Sequence, residues 1–127
     1  MADVNRGNRP LSPHIEIYRP QWTSISSILV RITGIGCLIA SVLVVAWLLA
    51  AASSETAFNS VDWFLRSILG QLILIAATWG IFYHMLGRLR HVIWDFGYLV
   101  QVPVSETMAK GMVIAATVLT ILVVIAV

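Results

Sequence analysis

His84, His91, Ser27, Arg31 and Asp95 are the side chains of this sequence whose types and spacing could do chemistry. His84 lies inside a long apolar stretch, about one turn in from a basic end made by Arg88 and Arg90. An ionisable group at membrane depth is costly and therefore raises a functional hypothesis. A neutral imidazole placed there can be an axial ligand of haem iron, or it can hydrogen-bond a neighbouring helix. Position alone favours neither. Ser27 and Arg31 are four residues apart and share one face of a helix. A hydroxyl beside a guanidinium can polarise a quinone carbonyl and stabilise negative charge arising on reduction, or it can serve haem carboxylates. The competing role for Arg31 is snorkelling to the interface.

His91 follows His84 by seven residues, roughly 10 Å along a helix axis. The two imidazoles therefore cannot bind opposite faces of one iron. The remaining histidine, His14, belongs to a polar leader, so a partner subunit is the better source of a second axial ligand. That leaves His91 for haem propionates, lipid headgroups or a plain interfacial place. Asp95 suits an ion pair with the neighbouring basic residues, or proton delivery. At about 100° per residue, Gly70, Ala77, Gly80, Gly87 and His91 share the face of His84. Small residues there leave a groove for a flat macrocycle, or allow close helix packing.

These side chains need elements to hold them, and the composition says which. Of 127 residues, 59% are hydrophobic and 11% charged, where a soluble domain is about a quarter charged. That leaves too little polar surface for a water-facing exterior. The net charge of +2, with no basic stripe, excludes a nucleic-acid footprint. A single cysteine, Cys37, excludes an intrachain disulfide and an iron–sulfur cluster, which typically needs about four protein ligands. Cys37 sits in an apolar run as a small packing residue. No dinucleotide fingerprint occurs.

Three segments reach the roughly 20 apolar residues that cross a bilayer. They predict helices over about 24–52, 63–91 and 106–127, after a polar leader over 1–23. Membrane-depth backbone must satisfy its own hydrogen bonds, so the expected fold is all-α, one integral membrane domain with three transmembrane helices. Ser53 to Asp62 reads as a short polar loop. Phe96 to Ser105, with Gly97 and Pro103, reads as a turn. Trp63 and Trp94 fall near helix ends, and Trp47 and Trp79 lie deeper, facing lipid or a cofactor.

Seven of the eight basic residues (Arg6, Arg9, Arg19, Arg31, Arg88, Arg90 and Lys110) flank the N-terminal end and the second connection. Only Arg66 is near the first. The bias places the N-terminus in the cytoplasm. The first thirty residues resemble neither a secretory signal nor a transit peptide. A bacterial inner membrane is the expected location, with the mitochondrial inner membrane second.

Three blocks carry a resemblance. RPLSPHIEIYRP, at Arg9 to Pro20, looks like the start of the cytochrome b subunit family of succinate dehydrogenase. SILVRITG, at Ser27 to Gly34, resembles its first-helix motif, and HMLGRLRHVIWDFGYL, at His84 to Leu99, its second-helix motif. Order, spacing and span count agree over essentially the whole chain. The resemblance implies that His84 ligates haem b, with the second ligand from a sister anchor subunit. It implies that Ser27 and Arg31 help form a ubiquinone site, with Arg31 also near the haem propionates and Trp22 on the quinone approach. His91 matches the Arg-His pair of the motif. Val30 stands where many members carry a histidine, so contacts made by that histidine have no side-chain counterpart here.

The implied partners are a second anchor subunit, an iron–sulfur subunit, a flavoprotein subunit and lipid. The flavin and the clusters reside in the soluble subunits, and succinate is oxidised there. This chain is then a component of an enzyme, contributing anchoring, haem ligation and part of a quinone pocket. The leader is expected to lie against the iron–sulfur subunit. Two other readings fit the spans: a non-redox helical subunit (a transporter component or assembly factor) and a quinol:fumarate reductase anchor.

Overall fold

The computed structural model describes residues 10–127, so Arg6 and Arg9 lie outside the described residues. Four helices follow one another: α1 (Trp22–Ser53), α2 (Glu55–Arg66), α3 (Ile68–Asp95) and α4 (Val102–Ala126). Among the described residues no strand occurs. Three of the helices, α1, α3 and α4, are long and apolar enough to cross a membrane. α1 has 32 residues, roughly 48 Å at 1.5 Å per residue. It exceeds a hydrocarbon core of about 30 Å, so its polar first turns extend beyond that core. The leader is tied to α1 by Tyr18, whose hydroxyl donates to Ser24 Oγ at 3.2 Å.

The stretch expected as a loop is a helix. Ser54 ends α1 in extended conformation and caps α2, its side chain accepting from the Ala57 N–H. Phe58, Val61 and Leu65 recur at helical spacing and are half-buried, with Glu55, Thr56, Asn59 and Ser60 exposed between and before them. Phe58 meets Trp47 of α1 at 6.0 Å between ring centres. The polar composition hid this short amphipathic pattern. The second expected helix is likewise divided. Ser67 ends α2, donates to the Phe64 carbonyl at 2.6 Å and accepts from the Gly70 N–H at 3.2 Å. Gly70 is buried against the backbone of Phe64 and Leu65, where a Cβ would have no room. Trp63 is 75% exposed, at the edge of this corner.

α3 ends on a residue pattern that reverses the chain. The Tyr98 N–H reaches the Ile93 carbonyl at 3.2 Å, and the Gly97 N–H reaches that of Trp94 at 2.8 Å. These are the two bonds of a Schellman ending. Gly97 adopts φ +78°, which a Cβ would oppose. α4 begins earlier than expected, and Pro103 lies in its first turn instead of in the connection. A proline is well placed there because that N–H has no helical partner.

α1, α3 and α4 pack as an up-down-up set, with α1 and α4 each against α3. The core is small: Val30, Tyr83, Met112 and Ala116, with Leu29, Trp79 and Phe82 against it. Leu, Ile and Val residues cover much of the outward surface. A lipid-facing bundle has no hydrophobic drive to hide them, so close packing of small residues joins the helices. The Lys110 Nζ lies 5.7 Å from the Trp22 ring centre, placing the start of α1 and the start of α4 at one end.

Candidate functional site

His84 is held between α1 and its own helix. Its Nδ1 lies 2.8 Å from the Val30 carbonyl oxygen, across the α1–α3 seam. A carbonyl only accepts, so Nδ1 carries the proton. Nε2 then has the lone pair, and the Arg88 Nε–H, one turn on, donates to it at 3.2 Å. Both contacts fix the same neutral tautomer. Gly34 of α1 faces the ring: a Cβ there would stand 2.8 Å from Cε1 and 3.2 Å from Nδ1. Glycine at this position gives the imidazole its room.

The face of small residues on α3 is packed against α1 at Gly87 and opens into an apolar groove at Ala77 and Gly80. Gly87 is buried against the Val30 side chain, and Gly80 faces the Thr33 methyl at 4.0 Å from an ideal Cβ. Ala77 and Gly80 line an apolar groove of about 370 Å³ with Thr33, Ala40, Leu43 and Ile73. Thr33 turns its hydroxyl back on the Leu29 carbonyl at 2.8 Å and leaves the seam apolar.

Ser27 and Arg31 share a face of α1, half-buried and exposed respectively. The buried hydroxyl of this stretch is the neighbouring Ser26, which accepts from Tyr83 OH at 3.0 Å. Tyr83 is wholly buried and stacks on Trp79 at 5.0 Å between ring centres. The Trp79 Nε1–H donates to Thr117 at 3.1 Å. A chain of polar and aromatic contacts thus joins α1, α3 and α4 directly behind His84. Its adjacency to His84 and Ser27 was legible, but which hydroxyls meet depends on helix rotation. Trp79 faces α4, and Trp47 faces α2.

His91 places Nδ1 2.8 Å from the Gly87 carbonyl, one turn back, so this nitrogen too is the donor. Its ring meets Trp94 edge-on at 5.3 Å. Trp22 opens α1, with the Lys110 cation over its ring. Asp95 makes no ion pair with any described residue. Among the described residues the ion pair is Asp62 with Arg66. Arg90 turns inward instead of toward Asp95 and is 2% exposed, with its guanidinium 4.4 Å from the centre of the Trp94 ring. None of its three nitrogens has a hydrogen-bond partner within the described residues. Cation–π attraction reaches about 2 kcal/mol for a desolvated pair and offsets part of that burial.

The succinate dehydrogenase/fumarate reductase transmembrane subunit family has a model that matches residues 5–124. The chain belongs to that family. The succinate dehydrogenase cytochrome b556 subunit of Paracoccus denitrificans is 43% identical over 122 residues, covering 96% of this chain and 94% of the relative. The cytochrome b556 subunit of Rickettsia conorii is 31% identical over 114 residues, covering 90% and 89%. The cytochrome b560 subunit of Reclinomonas americana is 35% identical over 100 residues, covering 75% and 69%. Within this transmembrane subunit family, His84, Ser27 and Arg31 of this chain lie at one end of the three-helix set, level with Val30.

Proposed function

We propose that this chain is a membrane-anchor subunit of succinate dehydrogenase that gives His84 to haem b as one axial ligand and forms part of a ubiquinone site. The observation that carries the reading is the neutral imidazole held through Nδ1 on the Val30 carbonyl. A ligating histidine needs one ring nitrogen anchored and a lone pair on the other; Nδ1 is anchored here, and the Nε2 lone pair is held by the exposed Arg88, which a metal would have to displace. The residues present therefore fit the group. Bound haem supplies a one-electron Fe(III)/Fe(II) couple. The Val30 carbonyl sets tautomer and ring direction, and Gly34 admits the ring against α1. Nε2 is met by the exposed Arg88, and a second anchor subunit would supply the other haem ligand. His91 is the candidate contact for haem carboxylates.

Ubiquinone takes two electrons and two protons per turnover. The Ser27 hydroxyl is suited to donate to one carbonyl oxygen, and the Arg31 cation to stabilise charge arising on it. Trp22 would line the approach. A flavoprotein subunit oxidises succinate to fumarate, and an iron–sulfur subunit passes the electrons on, with the leader of this chain against it. The three relatives named above are all succinate dehydrogenase subunits, which favours this reading over a non-redox subunit or a fumarate reductase anchor.

The basic end is proposed to face the cytoplasm of a bacterial inner membrane. A C-terminal alkaline phosphatase fusion should then be active and a C-terminal green fluorescent protein fusion dark. The reverse pattern would refute the orientation.

The ligand assignment is tested by a dithionite-reduced minus oxidised visible spectrum of the purified complex, wild type against His84→Ala. A b-type signal lost or strongly altered in the variant is expected. An unchanged signal means that another residue ligates the iron, and a wild-type complex without any haem removes the cofactor claim.

A further inference from the structure

Arg88 is exposed at the boundary of α3, where the ordinary place of a guanidinium is among headgroups and water. Here its Nε instead donates to His84 Nε2, the one ring nitrogen that α1 leaves free. The contact has a physical reason. A lone pair at membrane depth without a partner costs free energy, and Arg88 provides a donor from one turn away.

We propose that Arg88 caps the ligating nitrogen of His84 and, once displaced from it, sets the affinity and redox potential of the site through its charge. This inference rests on His84 being the haem ligand. Ligation needs the Nε2 lone pair, so the Arg88 hydrogen bond and a metal bond to Nε2 exclude each other. Arg88 is a suitable displaceable cap because it is exposed: its Nε–H finds water or a headgroup when released. Arg90, buried against Trp94, has no such escape. Release does not carry the charge away. Residues four apart on a helix hold their Cβ atoms about 6 Å apart, so the released cation stays tethered within a side-chain length of the iron-binding nitrogen. A nearby positive charge disfavours Fe(III) relative to Fe(II). Arg88 is thus a positioning and tuning residue, acting through His84.

The test uses the complete complex carrying Arg88→Leu or Arg88→Lys, with two readouts. The first is the midpoint potential from a redox titration of the b-type band. The second is the affinity for ferric haem b, measured by transfer of haem to an excess of apomyoglobin. In Arg88→Leu the Fe(III)/Fe(II) equilibrium should shift toward Fe(III) at least about threefold, roughly 28 mV at about 59 mV per tenfold for one electron. Ferric haem should be held about three- to tenfold more tightly, because the competing hydrogen bond, worth about 1 kcal/mol, and the repelling charge are both gone. Arg88→Lys should keep the potential near the wild-type value, since the charge remains. Arg88→Leu with wild-type potential and wild-type haem retention overturns the proposal. If His84→Ala abolishes the b-type signal in the same series, that failure is confined to Arg88. If His84→Ala leaves the signal intact, the ligand reading and this inference fall together.

Discussion

Arg31→Gln should lower succinate-driven ubiquinone reduction about a hundredfold, while electron transfer from succinate to a soluble dye acceptor stays at the wild-type rate. The argument begins with place. Arg31 follows Val30, whose carbonyl meets His84, so the guanidinium stands at the level of the proposed haem ligand. It is exposed in the isolated chain, and Ser27, one turn away on the same face, is half-buried. A charged group aimed at a developing oxyanion typically contributes a factor of about 10²–10³ in rate. Glutamine keeps a donor and most of the length but loses the cation, so the loss reports charge rather than shape. Arg31→Lys should recover part of the rate, since a cation returns without the planar fork. The dye assay separates this site from the soluble subunits. Full quinone activity in Arg31→Gln would return Arg31 to a snorkelling residue.

Gly34→Val should strip the complex of haem by more than tenfold and leave its helices in place. The Cβ alone would lie 2.8 Å from His84 Cε1, inside any tolerable contact. The backbone of α1 can recede only by giving up the packing of Val30 and Thr33 on Gly87 and Gly80 of α3. The ring must turn, and turning it breaks the Nδ1 bond to the Val30 carbonyl. Overpacking typically costs about 1–3 kcal/mol, and the hydrogen bond adds about 1 kcal/mol. Each 1.4 kcal/mol is roughly tenfold in occupancy. The measurement is b-type absorbance per complex, alongside helical circular dichroism to verify the fold. Undiminished absorbance in Gly34→Val would show that the ring is not held where the structure has it.

The long helices were legible because lipid admits few alternatives: an apolar run of sufficient length must satisfy its backbone internally. The break at Ser67 and the helix after Ser54 were not. Glu55, Asn59, Ser60 and Asp62 gave that stretch the polarity of a loop, and only Phe58, Val61 and Leu65 carried an apolar helical period. Ser54 and Ser67 each combine a stop and a cap, and serine does so too commonly to announce a corner by itself. In the site, His84, Ser27, Arg31 and His91 stood out by type and spacing, and Trp22 entered through the family resemblance alone. The Ser26–Tyr83 bond was not, since one residue of rotation decides whether Ser26 or Ser27 faces the bundle. Arg90 was read among the boundary charges because its sequence neighbours are Leu89 and His91; its inward turn comes from Trp94, one helical turn on. The glycines of α3 were correctly grouped on one face, and α1 occupies that face at Gly80 and Gly87.

The Val30 carbonyl has an evolutionary consequence. The group that holds His84 belongs to the main chain, so no codon change at position 30 deletes it directly. Side chains there must fit beside Gly87. An alanine scan at position 30 would report the lost packing of the Val30 side chain on Gly87 and leave the carbonyl itself in place. Selection on this contact must therefore fall on the neighbours that keep α1 in register, and Gly34 and Gly87 are where such constraint should be visible in the diversity of the family.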